Sequence, residues 1–206
     1  MAESSDKITA AACSRQDCNG CEIQGKLLCV HTSRDLMDFF VLFMGWVIPF
    51  LSGMIIAEYW TGLAVWVALA IIFFGYVEAL VLCRHCPHYM EDGFLLSCHA
   101  NWGLPKIPHL NPRPMNMAEK IVWLGYVALL FLYYIPFFVI SGQWLLMILT
   151  TSALVVAGWT LWRTQCNRCY NLSCPINCVP EDVRDVFFRN YPEYARVWGK
   201  NDQNRT

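Results

Sequence analysis

The sequence contains four long apolar runs, and every lysine and arginine lies outside them. The runs cover residues 39–57, 60–82, 121–140 and 144–162. A helix of about 20 apolar residues is long enough to cross the hydrocarbon core of a bilayer. Within each pair of runs the connection is so short that it has room only for a turn. The sequence therefore predicts an all-α integral membrane protein whose four transmembrane helices form two hairpins.

The 15 lysine and arginine residues indicate how these helices are oriented. They are confined to the N-terminal segment, the loop between the hairpins and the C-terminal tail, and none lies in the two short turns. Positive charge resists translocation, so we predict a multi-pass protein of the cell membrane with both termini in the cytoplasm. The start of the chain lacks the basic and apolar regions of a signal peptide, so the first helix should direct its own insertion.

This topology divides the chain into five segments. Residues 39–82 and 121–162 form the two hairpins, and residues 1–38, 83–120 and 163–206 form the N-terminal segment, the loop and the tail. The net charge of −1 provides no basic excess for binding nucleic acid. Function is therefore expected to reside in the three polar segments and at their membrane surface.

Three residues inside the apolar runs carry specific expectations. Pro49 and Pro136 should kink the first and third helices, because proline lacks a backbone donor and clashes with the preceding turn. Glu78 is the only acidic or basic residue inside a run. Near the end of its helix, its carboxylate can either reach the interface or handle protons within the membrane. Glu78 is therefore the candidate proton-handling residue, with simple interfacial placement as the alternative.

The two hairpins resemble each other, which indicates an internal duplication. Each contains an Ile-Pro-Phe step followed by Ser-Gly, within residues 48–53 in the first hairpin and 135–142 in the second. Each then leads into a C-x-x-C pair and a Leu-Ser-Cys triplet, within residues 83–98 and 166–174. The same landmarks in the same order predict a parallel repeat about an axis along the membrane normal.

The strongest chemical signal is a C-x-x-C pair in each of the three polar segments. Two intervening residues allow both thiolates of a tight turn to bind one ion. In a reducing cytoplasm, such thiols bind metal or do chemistry more often than they form disulfides. Eleven cysteines and one histidine would complete three four-coordinate sites. The cysteine pattern therefore predicts metal binding.

The spacing around each pair gives the predicted ligands. The N-terminal set has the C-x4-C-x2-C spacing of plant-type ferredoxins, and the tail set is similar to both a zinc knuckle and a cubane-binding run. The loop has only three cysteines and needs a histidine as its fourth ligand. The predicted cofactor-binding residues are Cys13, Cys18, Cys21, Cys29, Cys166, Cys169, Cys174 and Cys178. The predicted metal ligands of the loop are Cys83, Cys86 and Cys98 with His88 or His99.

Two polar stretches have a predictable conformation. The loop holds four prolines between residues 105 and 114, so it should lie extended, either as a lid over the metal sites or as a linker. In the tail, Pro180 opens a short helix with an apolar stripe of Val183, Val186 and Phe187, which should pack against the bundle or the headgroups.

Three functions remain open from the sequence. In the first, iron–sulfur clusters pass electrons at the cytoplasmic face to a membrane partner or a quinone, and the chain is an electron-transfer or accessory subunit. A cytoplasmic or membrane redox protein is then the expected partner. In the second, zinc stabilises the polar segments of a membrane adaptor that has no chemistry of its own. In the third, surface thiols handle a metal ion, although the helices offer no cysteine, histidine or aspartate to pass it on.

Overall fold

The computed structural model describes residues 20–29, 33–91, 93–96, 98 and 100–200. Within these ranges the chain is helical or irregular and has no β-strand, only an isolated bridge between Leu95 and Pro105. The predicted all-α class is therefore confirmed for the described residues. The predicted ligands Cys13, Cys18 and His99 lie outside them.

Within the described ranges, four helices are long and apolar enough to cross a membrane, as many as the sequence predicted. Spans 1 to 4 cover Arg34–Ile56, Trp60–His85, Met117–Ile140 and Trp144–Cys166. By length and composition, the chain is a multi-pass membrane protein. Every span extends beyond its predicted apolar run at the end that bears the basic residues: spans 1 and 3 begin earlier than the run, and spans 2 and 4 end later. The reason is that helical backbone hydrogen bonding continues into the polar residues next to the run.

The spans are built from helices with local irregularities. Two of these are π-helical turns, Phe73–Val77 in span 2 and Trp162–Cys166 in span 4, and each precedes or reaches a C-x-x-C pair. Turns of this kind are frequent at functional sites. The α-helices are α1 (Ser33–Ile56), α2 (Trp60–Ile72), α3 (Glu78–Val81), α4 (Met117–Leu132), α5 (Tyr134–Ile140), α6 (Trp144–Leu161), α7 (Glu181–Asn190) and α8 (Pro192–Val197).

The two span prolines differ in their local effect. Helix α1 continues through Pro49, whereas span 3 is interrupted at Tyr133, shortly before Pro136. Because Pro136 has no N–H to donate to the carbonyl of Leu132, the interruption agrees with its position. The kinks predicted at both prolines remain predictions.

The two hairpin turns have matching backbone hydrogen bonds. Tyr59 N donates to the Met54 carbonyl at 3.0 Å, and Gln143 N donates to the Phe138 carbonyl at 2.9 Å. The residue before each donor has a positive φ, 58° in the first turn and 67° in the second. This likeness supports the predicted repeat, which itself remains a prediction.

Close contacts between the hairpins occur where these turns meet, a region that we call the turn end. A Cβ added to Gly53 would overlap the ring of Phe138, and one added to Gly62 would lie 2.9 Å from Phe137 Cε1. Gln143 Nε2 donates to the Gly53 carbonyl at 3.1 Å. Small residues allow membrane helices to approach this closely.

Inside the bundle, α1 packs along α6, and α4 packs against α2 and α3. These contacts bury two apolar clusters, one toward the turn end and one toward the opposite end. The first cluster consists of Trp46, Val47, Phe50, Met54, Tyr134 and Phe138. The second consists of Phe73, Val81, Leu82, Met115, Trp123 and Leu130.

A third apolar core lies outside the spans and joins residues 20–29 to the tail. The predicted tail helix is present as α7, with Val183 and Phe187 buried and Val186 packed at the edge, so its apolar stripe faces this core. The other buried members are Ile23, Leu27, Tyr170, Leu172, Val179, Phe188, Tyr194 and Ala195.

Candidate thiol centre

Hydrogen bonds join the described parts of all three polar segments at one end of the bundle. Leu28 N donates to the Arg168 carbonyl at 2.7 Å, which connects the N-terminal segment with the tail. Tyr194 Oη donates to the His85 carbonyl at 2.5 Å, which connects the tail with the end of span 2. Trp198 Nε1 donates to the Pro112 carbonyl of the loop at 3.0 Å. All nine described cysteines lie in these segments, so we call this region the cysteine end.

Cys83 and Cys86 are held together by the last turn of span 2. A 3₁₀ turn covers Cys83–His85, and Cys86 N donates to the Cys83 carbonyl at 2.9 Å. Both thiols are buried, and Cys83 packs with Tyr89 and Leu96 of the loop. The C-x-x-C spacing thus forms the tight turn expected from the sequence.

The cysteines of the tail lie on a loop that its own backbone closes. Cys178 N donates to the Cys166 carbonyl at 3.2 Å. Inside this loop, Asn177 Nδ2 donates to the carbonyls of Cys169 and Asn171, both at 3.0 Å. The asparagine therefore fixes the backbone on which the tail thiols lie.

The thiols of the loop and of the tail influence one another electrostatically, with Cys83 and Cys86 buried and Cys98, Cys169 and Cys174 partly buried. Burial raises the pKa of Cys86, and the nearby thiols of Cys98 and Cys169 raise it further. Burial also raises the pKa of Cys169, with contributions from Cys174 and Cys98. For Cys174, burial foremost and then the nearby Cys166 and Glu78 raise the pKa to about 12. The sequence assigned these thiols to two separate sites, and that assignment stays a prediction. The electrostatic influence of Cys98 and Cys169 on the Cys86 thiol indicates that thiols of the loop and of the tail lie near one another.

The described cysteines are all free thiols. Among the described residues, no three Cys, His, Asp or Glu side chains are grouped closely enough to hold one metal ion. The donor set nonetheless fits a soft metal or an iron–sulfur cluster chemically, because such groups bind clustered thiolates. Binding would require these thiols to lose their protons and turn toward a common point.

The two buried histidines already have hydrogen-bond partners. His88 Nδ1 lies 2.6 Å from Glu91 Oε1, and its Nε2 lies 3.1 Å from the Leu28 carbonyl oxygen. His85 Nδ1 lies 2.8 Å from the carbonyl oxygen of Asn111. The predicted ligand His88 therefore has no ring nitrogen facing the thiols in this arrangement, and the sequence offered no signal for its partners.

Cys21 and Cys29, the described cysteines of the N-terminal set, lie elsewhere at this end. Both pack against the apolar core that joins residues 20–29 to the tail. Cys29 lies near enough to Tyr170 to raise the pKa of its hydroxyl, after the larger effect of burial. The predicted N-terminal ligand set stays a prediction, because its other two members lie outside the described residues.

Glu78 is buried beside the thiols and contacts the loop. With its amide nitrogen turned toward Glu78, Asn101 donates to Oε2 at 3.1 Å. In this orientation the amide oxygen of Asn101 lies 3.2 Å from Cys83 Sγ. Sequence reasoning found Glu78 but missed Asn101, since no motif marks this residue of the loop.

A second buried carboxylate, Glu119, fixes the loop to the start of span 3. Its Oε1 accepts from Arg84 Nη2 at 2.8 Å and from Arg113 Nη2 at 2.7 Å. Its Oε2 accepts from the backbone of Asn116, whose side chain caps the first turn of α4 in return. The sequence signal that could have revealed it is Asn-x-x-Glu before an apolar run, the pattern of a capping box.

No protein-family model, curated protein or solved structure matches this chain. Any assignment of function consequently depends on the residues of the cysteine end and on their chemistry.

Proposed function

We propose that this chain is a membrane protein that binds a thiolate-ligated iron–sulfur cluster at its cysteine end and transfers electrons there. The observation that carries the proposal is the proximity of the buried Cys86 thiol to the partly buried thiols of Cys98 in the loop and Cys169 in the tail. Cys83, which the 3₁₀ turn pairs with Cys86, completes four thiols. In this proposal Cys169 takes the fourth position of the loop set, for which the sequence predicted His88 or His99; His99 lies outside the described residues.

The protonation of these thiols argues against thiol–disulfide exchange and is compatible with metal binding. Exchange requires an accessible thiolate at neutral pH, which a lowered pKa provides. Burial instead raises the pKa of Cys86, Cys98 and Cys169. A buried thiolate becomes favourable when a metal cation supplies the compensating charge.

Two observations favour a cluster over a zinc staple. Structural zinc is typical of segments that are too small to build a core, whereas the tail and residues 20–29 bury their own core around Tyr170, Phe187 and Tyr194. Among the described histidines of the loop, His85 Nδ1 and both ring nitrogens of His88 lie within hydrogen-bond distance of other groups, which favours thiols as the ligands. When bound, an iron–sulfur cluster accepts and donates single electrons. The chain itself excludes water from Cys83 and Cys86.

The surroundings of the site provide a redox partner and a residue for proton transfer in this proposal. The cysteine end faces the cytoplasm, where a soluble or membrane redox protein would exchange electrons with it, and a quinone is the candidate membrane acceptor. Glu78, buried beside Asn101, is the candidate residue for accompanying proton transfer. Support for this role comes from its burial at the membrane end of the thiol environment, where an isolated charge is costly.

The test is reconstitution of the full chain. Protein purified anaerobically in lipid nanodiscs, with iron and sulfide supplied, should bind both, absorb broadly in the visible range and give an EPR signal on reduction. The Cys169→Ser variant should lose most of this iron, because it removes the thiol shared by the loop and the tail.

The matched control is Ile176→Ser, which changes an exposed position of the same tail loop and leaves every thiol in place. It should bind iron as the wild type does. Colourless protein that contains zinc would favour the adaptor function instead, and full iron binding by Cys169→Ser would remove Cys169 from the site.

The orientation has a separate test. A reporter inserted between Ser141 and Gln143 should behave as external, and a reporter fused after residue 206 should behave as cytoplasmic. A cytoplasmic signal from the turn would place the thiols on the oxidising side and would contradict the proposed redox environment.

A further inference from the structure

We propose that the outer face of the loop, centred on Trp102, is immersed in the bilayer interface, so that lipid covers the segment that carries Cys98 and Asn101. The partner of this surface is the boundary between headgroups and acyl chains. The inference does not depend on the identity of any metal, since it derives from the path of the loop.

The loop folds back on itself as an irregular ribbon. Lys106 N donates to the Phe94 carbonyl at 2.8 Å, and Leu96 N donates to the Leu104 carbonyl at 2.8 Å. Leu96 faces inward, where it packs with Cys83. The described residues between Leu96 and Leu104, namely Cys98 and Ala100 to Gly103, consequently form the tip of the ribbon, and Asn101 is directed from this tip toward the bundle.

The depth of the tip follows from the contact between Asn101 and Glu78. The Asn101 amide reaches both Glu78 Oε2, at 3.1 Å, and Cys83 Sγ, at 3.2 Å. Glu78 lies seven residues before His85, the last residue of span 2. At 1.5 Å per residue, its Cα lies about 10 Å inside that end of the helix and about 6 Å inside the apolar run, which stops at Leu82. The Asn101 side chain at the tip therefore contacts the flank of the span, between Glu78 and Cys83.

The side chains on the outside of the ribbon suit this depth. Trp102, next to the buried Asn101, is 54% exposed, and Phe94 and Leu95 are 67% and 53% exposed. No Asp, Glu, Lys or Arg occurs between residues 93 and 105. Exposed apolar side chains of this size are costly in water, whereas tryptophan is enriched at the membrane interface. Lipid is the occupant that already surrounds the neighbouring span.

The test uses quenching of tryptophan fluorescence by brominated lipid. Full-length wild-type protein and the Trp102→Phe variant are placed in nanodiscs of phosphatidylcholine with bromine on the upper acyl chain, and in the same nanodiscs without bromine. The difference between the two proteins isolates Trp102 among the nine tryptophans. The brominated lipid should remove most of this difference signal, and acrylamide added to the water should remove little of it.

The matched control is Trp198→Phe, which isolates an indole that donates to the Pro112 carbonyl on the tail side of the loop. Its difference signal should be insensitive to brominated lipid. Two outcomes would overturn the proposal. Quenching of Trp102 by acrylamide alone would place it in water, and protection from both quenchers would mean that protein covers it.

Discussion

The turn end and the cysteine end of the same bundle are held together by different means. At the turn end, two tight turns and the contact of Gly53 with Phe138 bring the hairpins together. At the cysteine end, buried polar groups make the connections between segments. Of the described buried polar residues, only Thr150 lies away from this end; the others are Glu78, His85, His88, Asn101, Glu119, Gln165, Asn171 and Ser173.

This difference shows that the cysteine end is not the purely apolar core that would be simplest to stabilise. Burying a polar group costs free energy unless it is hydrogen bonded, and an apolar core would avoid that cost. The cysteine end instead satisfies its polar groups across segments, as when Ser173 Oγ accepts from Met115 N at 2.7 Å. A polar region of this kind, beside a cluster of thiols, is typical of a site maintained for chemistry.

The largest expected effect comes from removing the charge of Glu119. The Glu119→Gln variant keeps the size of the side chain but leaves Arg84 and Arg113 without their shared carboxylate. Both guanidinium groups retain some contact with solvent, so we expect a loss of about 3 kcal/mol, the lower part of the range for breaking a buried ion pair. Reversible unfolding in mixed micelles would measure the change in unfolding free energy.

Glu58→Gln provides the control at the other end of the molecule. Glu58 is exposed in the first hairpin turn, so removal of its charge should change the unfolding free energy by less than about 0.5 kcal/mol. Equal losses in the two variants would contradict the idea that buried polar contacts are concentrated at the cysteine end.

An intermediate effect is expected at the turn end from Gly53→Ala. The added methyl group would overlap the ring of Phe138, so the hairpins must separate locally at a cost of about 2 kcal/mol. Gly45→Ala, on the same helix α1, adds the same methyl group where no atom lies within 4 Å, and it should be neutral or stabilising. The same unfolding assay measures both variants, and an equal response would disprove the close approach at Gly53.

The sequence predicted these two ends unequally. Apolar runs located all four spans, because burial in lipid leaves a signal in consecutive residues. The contact between Asn101 and Glu78, and the neighbourhood of Cys86 and Cys169, connect distant parts of the chain and have no local pattern. The ligand sets assigned within each segment stay predictions. No local pattern revealed that Glu91 and the Leu28 carbonyl lie within hydrogen-bond distance of the His88 ring.

The smallest effect is expected from pH, and it should be restricted to the metal-free cysteine end. The pKa of Cys174 rises from an ordinary value of 9.0 to about 12, so the folded state holds this proton more tightly than the unfolded state does. Its contribution to stability is therefore complete below pH 9 and declines as the pH rises from there toward 12. The loss for this thiol should be about 0.4 kcal/mol at pH 9 and about 1.4 kcal/mol at pH 10.

Cys174→Ala isolates this contribution, because it removes the titrating group and leaves the backbone of the tail in place. Between pH 8 and pH 10, the unfolding free energy of the metal-free wild type should fall more steeply than that of the variant. The difference between the two proteins should equal the contribution of the Cys174 thiol. Identical pH dependence in the two proteins would mean that Cys174 is not buried among the other thiols, and the shared environment proposed for the loop and the tail would lose its support on the tail side.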